Sequence, residues 1–416
     1  MLSETCMETI VEKENMSRAL KKVRSNKGAP GVDGITTDEL TAHLQTHWPA
    51  IKSKLLDGTY KPGPIKGIRI PKPQGGERLL GIPNTQDRLI QQSVQQHLTQ
   101  LWDAKFSAHS YGFRPGRSNL DAIRAAKAFV LEGKTWVVDI DIEAFFDQVN
   151  HDRLMSLISK DIHDKRLMRY LGQTLRADML LDGQRVKRTA GTPQGGPLSP
   201  LLANLYLDAL DKELEARGLS FCRYADDLVI YVTSERSADR VLGSITAWIE
   251  KHLKLKVSAS KSGTGRPWDR DFLGYNIDEQ GNGQLSGKTV KKYRKKVREL
   301  WSARQSLTSA ELVAQWGGYI RGWYEYFRWV KDDFKRLSQW TRRHMRKCFW
   351  QRWHSRDGRM RKLRGLGIPS RQLARVSFHD GAWRAARHPV MQQAMSLKMM
   401  RRWGLWTPQD FASAPR

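Results

Sequence analysis

The stretch FCRYADDLVIYV (221–232) carries the first decision about the fold. Apolar residues alternate on both sides of Tyr224-Ala225-Asp226-Asp227, so it reads as strand, tight turn, strand, with two carboxylates at the tip. Upstream, WVVDIDI (136–142) alternates in the same way. Asp139 and Asp141 share one face, and Val138 and Ile140 share the other. Further out, IRIPKP, the turn QGGE and RLLGIP (68–83) read as a hairpin, and DFLGYNI (271–277) as another strand. Helical spacing fills the gaps. A first helix is expected over roughly 8–24 and a second near 37–56. A third carries Ile90, Val94, Leu98 and Leu101. A fourth starts at Ser118, with Asp121 completing a capping box, and carries Leu120, Ile123, Ala126 and Val130. Two more helices are expected over about 200–217 and 234–253. Strands alternating with helices over the first 280 residues predict a mixed sheet packed with helices.

Charge divides the chain differently. The 416 residues hold 71 Lys and Arg against 43 Asp and Glu, a net of +28. Residues 291–416 hold 30 basic and 8 acidic side chains, a net of +22, so the rest is nearly balanced at +6. Ten of the 15 Trp also lie beyond 300. Such an excess repels itself unless a polyanion answers it, and it predicts a nucleic-acid-binding surface. No strand pattern occurs beyond 290. KKYRKKVRELWSAR (291–304) predicts a helix with one apolar and one cationic face, and TSAE (308–311) a capping box opening the next. In that next helix Leu312, Trp316, Tyr319, Trp323 and Phe327 form a stripe expected to be core, leaving Arg321 and Arg328 for nucleic acid. The segment 342–364 is cationic enough to suit structured RNA. No apolar run is long enough to span a membrane, and the acidic N-terminus is neither a secretory signal nor a transit peptide, so a cytoplasmic protein is expected. Three scattered cysteines give neither a disulfide framework nor a zinc ligand set.

Two acidic strand tips side by side make a cradle for divalent cations, which phosphoryl transfer to a 3′-hydroxyl requires. Asp141 and the pair Asp226 and Asp227 offer that arrangement. Asp is also a common turn residue, so YADD alone decides little.

The ordered set IRIPKP…RLLGIP, YGFRPGRS (111–118), DIDIEAFFD (139–147), TPQGGPLSP (192–200), YADD (224–227) and FLGY (272–275) resembles reverse transcriptases. It is most similar to the bacterial group II intron-encoded reverse transcriptase/maturases that lack an endonuclease domain. GAPGVDG (28–34) resembles the N-terminal block of that family, and IRGWYEYFRW (320–329) and KLRGLGIP (362–369) its maturase domain. The resemblance implies an α/β (α+β) right-hand polymerase followed by an all-α thumb and C-terminal maturase domain. The implied divisions are an N-terminal extension with fingers over 1–135, a palm over 136–285, a thumb with the start of the maturase domain over 286–345, and a basic RNA/DNA-binding region over 346–416.

It also implies residue roles. Asp141, Asp226 and Asp227 become catalytic ligands of two Mg²⁺ ions, with Asp139 the lesser alternative to Asp141. Lys72 and Arg78 hold the triphosphate of the incoming dNTP, Phe146 closes the sugar pocket, and Gln194 and Gly195 pack against the nucleotide. Tyr224 lies beside the primer end, and Gly274 and Tyr275 belong to the primer grip. Lys261 is either a proton donor to pyrophosphate or a solvated lysine. The implied partners are a group II intron RNA, an RNA template with a DNA primer, and target DNA, in a bacterial cytoplasm. The implied work is cDNA synthesis, splicing assistance and retrohoming. No C-x-x-C or H-N-H pattern is present, so second-strand cleavage by this polypeptide is not expected. Two readings stay open beside it: a related reverse transcriptase recruited to host DNA repair or phage defence, and a non-enzymatic splicing cofactor.

Overall fold

A computed structural model describes residues 5–71, 75–304, 306–330, 332–373 and 381–413. The chain divides into two compact units, Met1–Arg266 and Pro267–Arg416.

The first unit holds two four-stranded sheets. Its strands are β1 (Ile65–Pro71), β2 (Glu77–Ile82), β3 (Trp136–Ile140), β4 (Met179–Leu181), β5 (Gln184–Val186), β6 (Ser220–Tyr224), β7 (Asp227–Val232) and β8 (Gly263–Gly265). One sheet runs β2-β1-β4-β5, with β1 and β2 as the expected hairpin and β1 parallel to β4. The other runs β6-β7-β3-β8 and is antiparallel throughout. Helix Glu235–Trp248 packs on β3, β7 and β8, and helix Asn119–Leu131 on β6 and β7. Val138, Ile140, Phe221 and Ile230 are buried with Tyr206, Leu207 and Ile245 in one core. Each such aliphatic side chain contributes about 1.5–3 kcal/mol by leaving water. Ser118 opens the 119–131 helix as expected, its amide and hydroxyl donating to the Asp121 carboxylate at 2.9 and 2.7 Å.

Three expectations change. The first helix is two, Met7–Ile10 and Lys13–Ser25, because the buried Asn15 side chain donates to the Ile10 carbonyl at 2.7 Å and the Ser93 carbonyl at 3.1 Å. Strands β4 and β5 were not foreseen; they flank an Asp182-Gly183 turn with both residues at positive φ. Of the strand expected over 271–277, only Tyr275–Ile277 forms. Leu273 (φ 53°) and Gly274 (φ 85°) make a turn instead.

The second unit pairs β9 (Tyr275–Ile277) with β10 (Gly283–Leu285) and is otherwise helical among the described residues. Its long helices are Gly287–Leu300, Ser309–Phe327 and Asp332–Arg352. The second of these opens on the expected box, with the Thr308 amide donating to Glu311 at 2.7 Å. Leu312 and Trp316 are buried. Trp323 and Phe327 pack on each other at 4.8 Å, and Trp323 lies 4.6 Å from the buried Tyr293 ring, so the aromatic stripe is core. Arg321 and Arg328 are exposed. Segment 272–275 belongs to this unit because Tyr275 is buried against Phe327 at 5.3 Å and its hydroxyl donates to the Tyr326 carbonyl at 2.5 Å.

Candidate active site

Register brings the carboxylates together. Strand β3 pairs with β7 from Trp136↔Val232 to Ile140↔Leu228, so one residue further along sets Asp141 level with Asp227. The end of β3 is clamped by the segment 258–262. Ser258 donates its amide to the Asp141 carbonyl at 2.8 Å, and Ser262 Oγ accepts from the Asp141 amide at 3.0 Å. From the same segment Lys261 Nζ reaches the Asp141 carboxylate at 3.1 and 3.5 Å. Asp139, two residues back, lies inside the sheet opposite Val229 and Gly263.

The β6–β7 turn is held from beneath. Ala225 takes a left-handed φ of 58°, a conformation that costs a non-glycine residue about 1–3 kcal/mol unless its surroundings enforce it. They do. Arg223 is 1% exposed and forks onto the buried Asp211 carboxylate, its Nε 2.7 Å from Oδ1 and its Nη2 2.5 Å from Oδ2. It also donates to the Ala225 carbonyl at 2.9 Å, Asn204 Oδ1 at 3.0 Å and Ser110 Oγ at 2.8 Å. Asn204 in turn donates to the Gly112 carbonyl at 2.8 Å. Gly112 lies against the Ala225 amide so closely that a Cβ there would overlap it. YGFRPGRS therefore positions the β6–β7 turn through backbone contact.

Above the turn a second group converges. Arg78 on β2 donates through Nε to Gln194 Oε1 at 2.5 Å, and Gln194 Nε2 lies 3.4 Å from both Asp147 carboxylate oxygens. The Gly81 amide donates to the Gln194 carbonyl at 2.9 Å. Gly195 follows at φ 136°, where a Cβ would stand 2.6 Å from the Gly81 carbonyl oxygen, so the loop seats on β2 only with glycine there. Phe146 is half-buried, edge-on to the buried Phe145 ring at 5.3 Å, and its carbonyl accepts from the Thr192 amide at 2.6 Å. Tyr224, half-buried, ends β6 opposite Asp227.

Electrostatics tie the two groups. Burial pushes the Asp226 carboxyl above the usual carboxylate range. Its own backbone amide opposes this, the Asp141 charge adds to it, and the Arg78 and Arg223 charges offset part of the sum. A carboxylate raised by burial, with a neighbouring carboxylate adding to the rise, suits a hard divalent cation, which prefers oxygen ligands. Among the described residues no group of three or more His, Cys, Asp or Glu side chains is placed to hold a metal ion, so Asp141, Asp226 and Asp227 do not form a ready ligand set in this structure.

Lys72 lies outside the described residues. Gly274 and Tyr275 belong to the second unit. Gly274 sits in the turn after Leu273, donating its amide to Asp271 Oδ1 at 2.7 Å, and the Tyr275 ring is buried. Sequence reasoning missed Asp147, Arg223 and the grip of Lys261 on Asp141. Asp147 closes the same DIDIEAFFD frame that drew attention to Asp141, so its signal was present. Arg223 had none, since a fully buried arginine is rare.

A palm-like antiparallel sheet with carboxylates at one end defines a nucleotidyl-transferring polymerase. Residues 70–277, half the chain, match the reverse transcriptase (RNA-dependent DNA polymerase) family, and the chain belongs to it. Residues 290–365 match the group II intron maturase-specific domain. Protein YkfC of Escherichia coli K12 is 32% identical over 311 residues, covering 64% of this chain and 81% of that protein. The group II intron-encoded protein LtrA of Lactococcus lactis is 37% identical over 212 residues. That match covers 51% of this chain and 35% of LtrA, so the chain spans about a third of that relative. Among solved structures a partial Cas6-RT-Cas1–Cas2 complex is 27% identical, with a TM-score of 0.39 over 60% of this chain and 43% of that one. The chain is thus an RNA-directed DNA polymerase of the group II intron reverse transcriptase/maturase kind, with a polymerase fold followed by a helical C-terminal part.

Proposed function

We propose that Asp141, Asp226 and Asp227 hold two Mg²⁺ ions and that the chain uses them to copy RNA into DNA while serving a group II intron RNA in splicing and retrohoming. The observation that carries this is the register that sets Asp141 level with Asp227 at the ends of β3 and β7, with Asp226 in the adjoining β6–β7 turn. Bound Mg²⁺ neutralises triphosphate charge and activates the primer hydroxyl. The remaining work falls to the chain. Arg78 offers the triphosphate a planar fork that lysine cannot reproduce. Gln194, oriented by Arg78 and Asp147, packs against the incoming dNTP. The Phe146 ring excludes a ribose 2′-hydroxyl, and Lys261 steadies the Asp141 carboxylate. Lys72 is assigned to the triphosphate as well, and Tyr224, Gly274 and Tyr275 to the primer. RNA template, DNA primer, intron RNA and target DNA are the partners, and the bacterial cytoplasm is the setting. Among the described residues no helix is long and apolar enough to cross a membrane.

The test is Asp226→Ala in primer extension on an RNA template. Incorporation should fall by at least about 10³-fold, the scale of a lost transition-state electrostatic contact of roughly 4 kcal/mol. RNA affinity should stay within twofold. Retained polymerisation would overturn the ligand assignment.

A further inference from the structure

The second unit contains a cavity of about 630 Å³ whose lining includes Arg342, Arg343, Arg346, Arg387, Gln392 and Ser396. Helix Asp332–Arg352 supplies the first three. The short helices Ala382–Arg387 and Pro389–Ala394 and the residues after them supply the rest, beyond the maturase-specific match at 290–365. Four guanidinium groups around one hollow repel each other, and acidic residues do little to answer them. Arg342, 9% exposed, pairs with Asp410 at 3.0 Å, and Asp410 is shared with Arg401 at 2.8 Å. Arg342 Nε is buried without a partner. Arg346 is half-buried and, among the described residues, donates only to the neutral Met395 carbonyl, at 3.0 Å through Nη2. Among the described residues no carboxylate pairs with Arg343, Arg346 or Arg387. Burial and the charges of Arg342 and Arg343 hold the Arg346 guanidinium down to about 10. A charge that is disfavoured in the empty cavity becomes favoured when an anion enters.

The lining also limits which anion. No aromatic ring lines the cavity among the described residues, so there is no platform on which a base would stack. Guanidinium forks match phosphate oxygens bidentately, while a hydroxyl and a side-chain amide can address a ribose 2′-hydroxyl. The volume falls in the range of ordinary ligand pockets, roughly 300–1,000 Å³, enough for a sugar-phosphate unit and too open for a structural ion alone.

We propose that this cavity is a docking site for the sugar-phosphate backbone of folded RNA, with Arg343, Arg346 and Arg387 on phosphate oxygens. The proposal rests on the reading of this chain as an RNA-binding maturase and locates one anchoring point outside the polymerase sheet. Arg343 and Arg387 are exposed and serve no described contact through their side chains, so replacing them leaves the core intact.

The experiment uses the full chain with Arg343→Gln, Arg387→Gln and both together, each checked by thermal melting. Binding of a short RNA stem-loop, the DNA of the same sequence and inorganic pyrophosphate is measured over a salt series. The double variant should bind the RNA about tenfold more weakly or worse, with a salt slope smaller by nearly two, one per phosphate contact removed. DNA affinity should change little, and extension of an oligo(dT) primer on poly(rA) should be unchanged. Each single variant should show a part of the same loss, so misfolding of the double variant would not decide the matter. Unchanged RNA affinity and slope in variants that melt like the wild type would overturn the proposal, as would an equal loss for DNA. Pyrophosphate binding lost with RNA binding retained would assign the cavity to free polyphosphate instead. A wild-type chain that does not bind the stem-loop would sink the RNA-binding reading itself, a distinct result.

Discussion

Phe146 shows how much a single side chain can be asked to decide. Its ring is held edge-on to Phe145 and its carbonyl is fixed by the Thr192 amide, so truncation to valine removes the ring while that backbone contact stays. Phe146→Val removes four carbons and should raise use of ribonucleotides relative to deoxyribonucleotides by at least about 10–200-fold, the range that a single methylene gives in a pocket. Competition between rNTP and dNTP in single-nucleotide extension reads it directly, and an unchanged ratio would return Phe146 to core packing. At this scale the sequence foretold position, setting Asp141 at the end of one strand and Asp226 in the turn between two others, while the roles of both remain part of the proposal. It was opaque at Arg223 and Lys261, whose partners lie 12 and 120 residues away along the chain. Nothing local to SASKS shows that its lysine will fold back onto Asp141.

Two elements owe their placement to charged groups taken out of water. The Arg223–Asp211 pair fixes the β6–β7 turn, and breaking one side strands the other charge in the core. Arg223→Met should cost roughly 3–5 kcal/mol in denaturant unfolding. Replacing both members with apolar residues should recover most of that stability while leaving the catalytic turn slack and incorporation slow. Asp164 anchors the N-terminal helix pair differently. Burial would raise its carboxyl, but the Arg166 side chain and the Met7, Arg166 and Leu167 amides outweigh burial and hold it at about 2. Its unfolded value is near 3.8, so the folded state gains stability that is fully present above about pH 4 and is lost as pH falls through about 2. Asp164→Asn should therefore destabilise by on the order of 1–2 kcal/mol at neutral pH, with the gap to wild type closing between pH 4 and 2 in matched melts. A pH-independent gap would assign the loss to packing. Elements with strong period-2 or period-3.6 patterns, such as β3, β7 and the helix 309–327, were readable in advance. Short ones were not: β4 and β5 have three residues each, and their edge pairing carries no alternation to detect.

For the whole molecule, the charge asymmetry of +22 in residues 291–416 was plain from composition, whereas its partition between structure and binding was not. Arg342 proves to be an interior residue paired with Asp410, so part of the cationic run 342–364 holds the fold together. The remainder predicts steep screening. If roughly six phosphates are contacted, RNA affinity should drop about a thousandfold between ~50 and ~200 mM salt, measured by anisotropy. A shallow slope would mean that the excess charge does not meet backbone phosphate. The turn carrying Asp226 and Asp227 has one further consequence. Its shape depends on the same interior arginine that joins the 199–216 helix, β6 and the 107–118 loop into one core. With that arginine in place, the turn cannot soften while the surrounding unit stays ordered. Heating should therefore extinguish polymerisation and unfold the first unit at one common temperature, with no intermediate range in which a folded but sluggish enzyme persists.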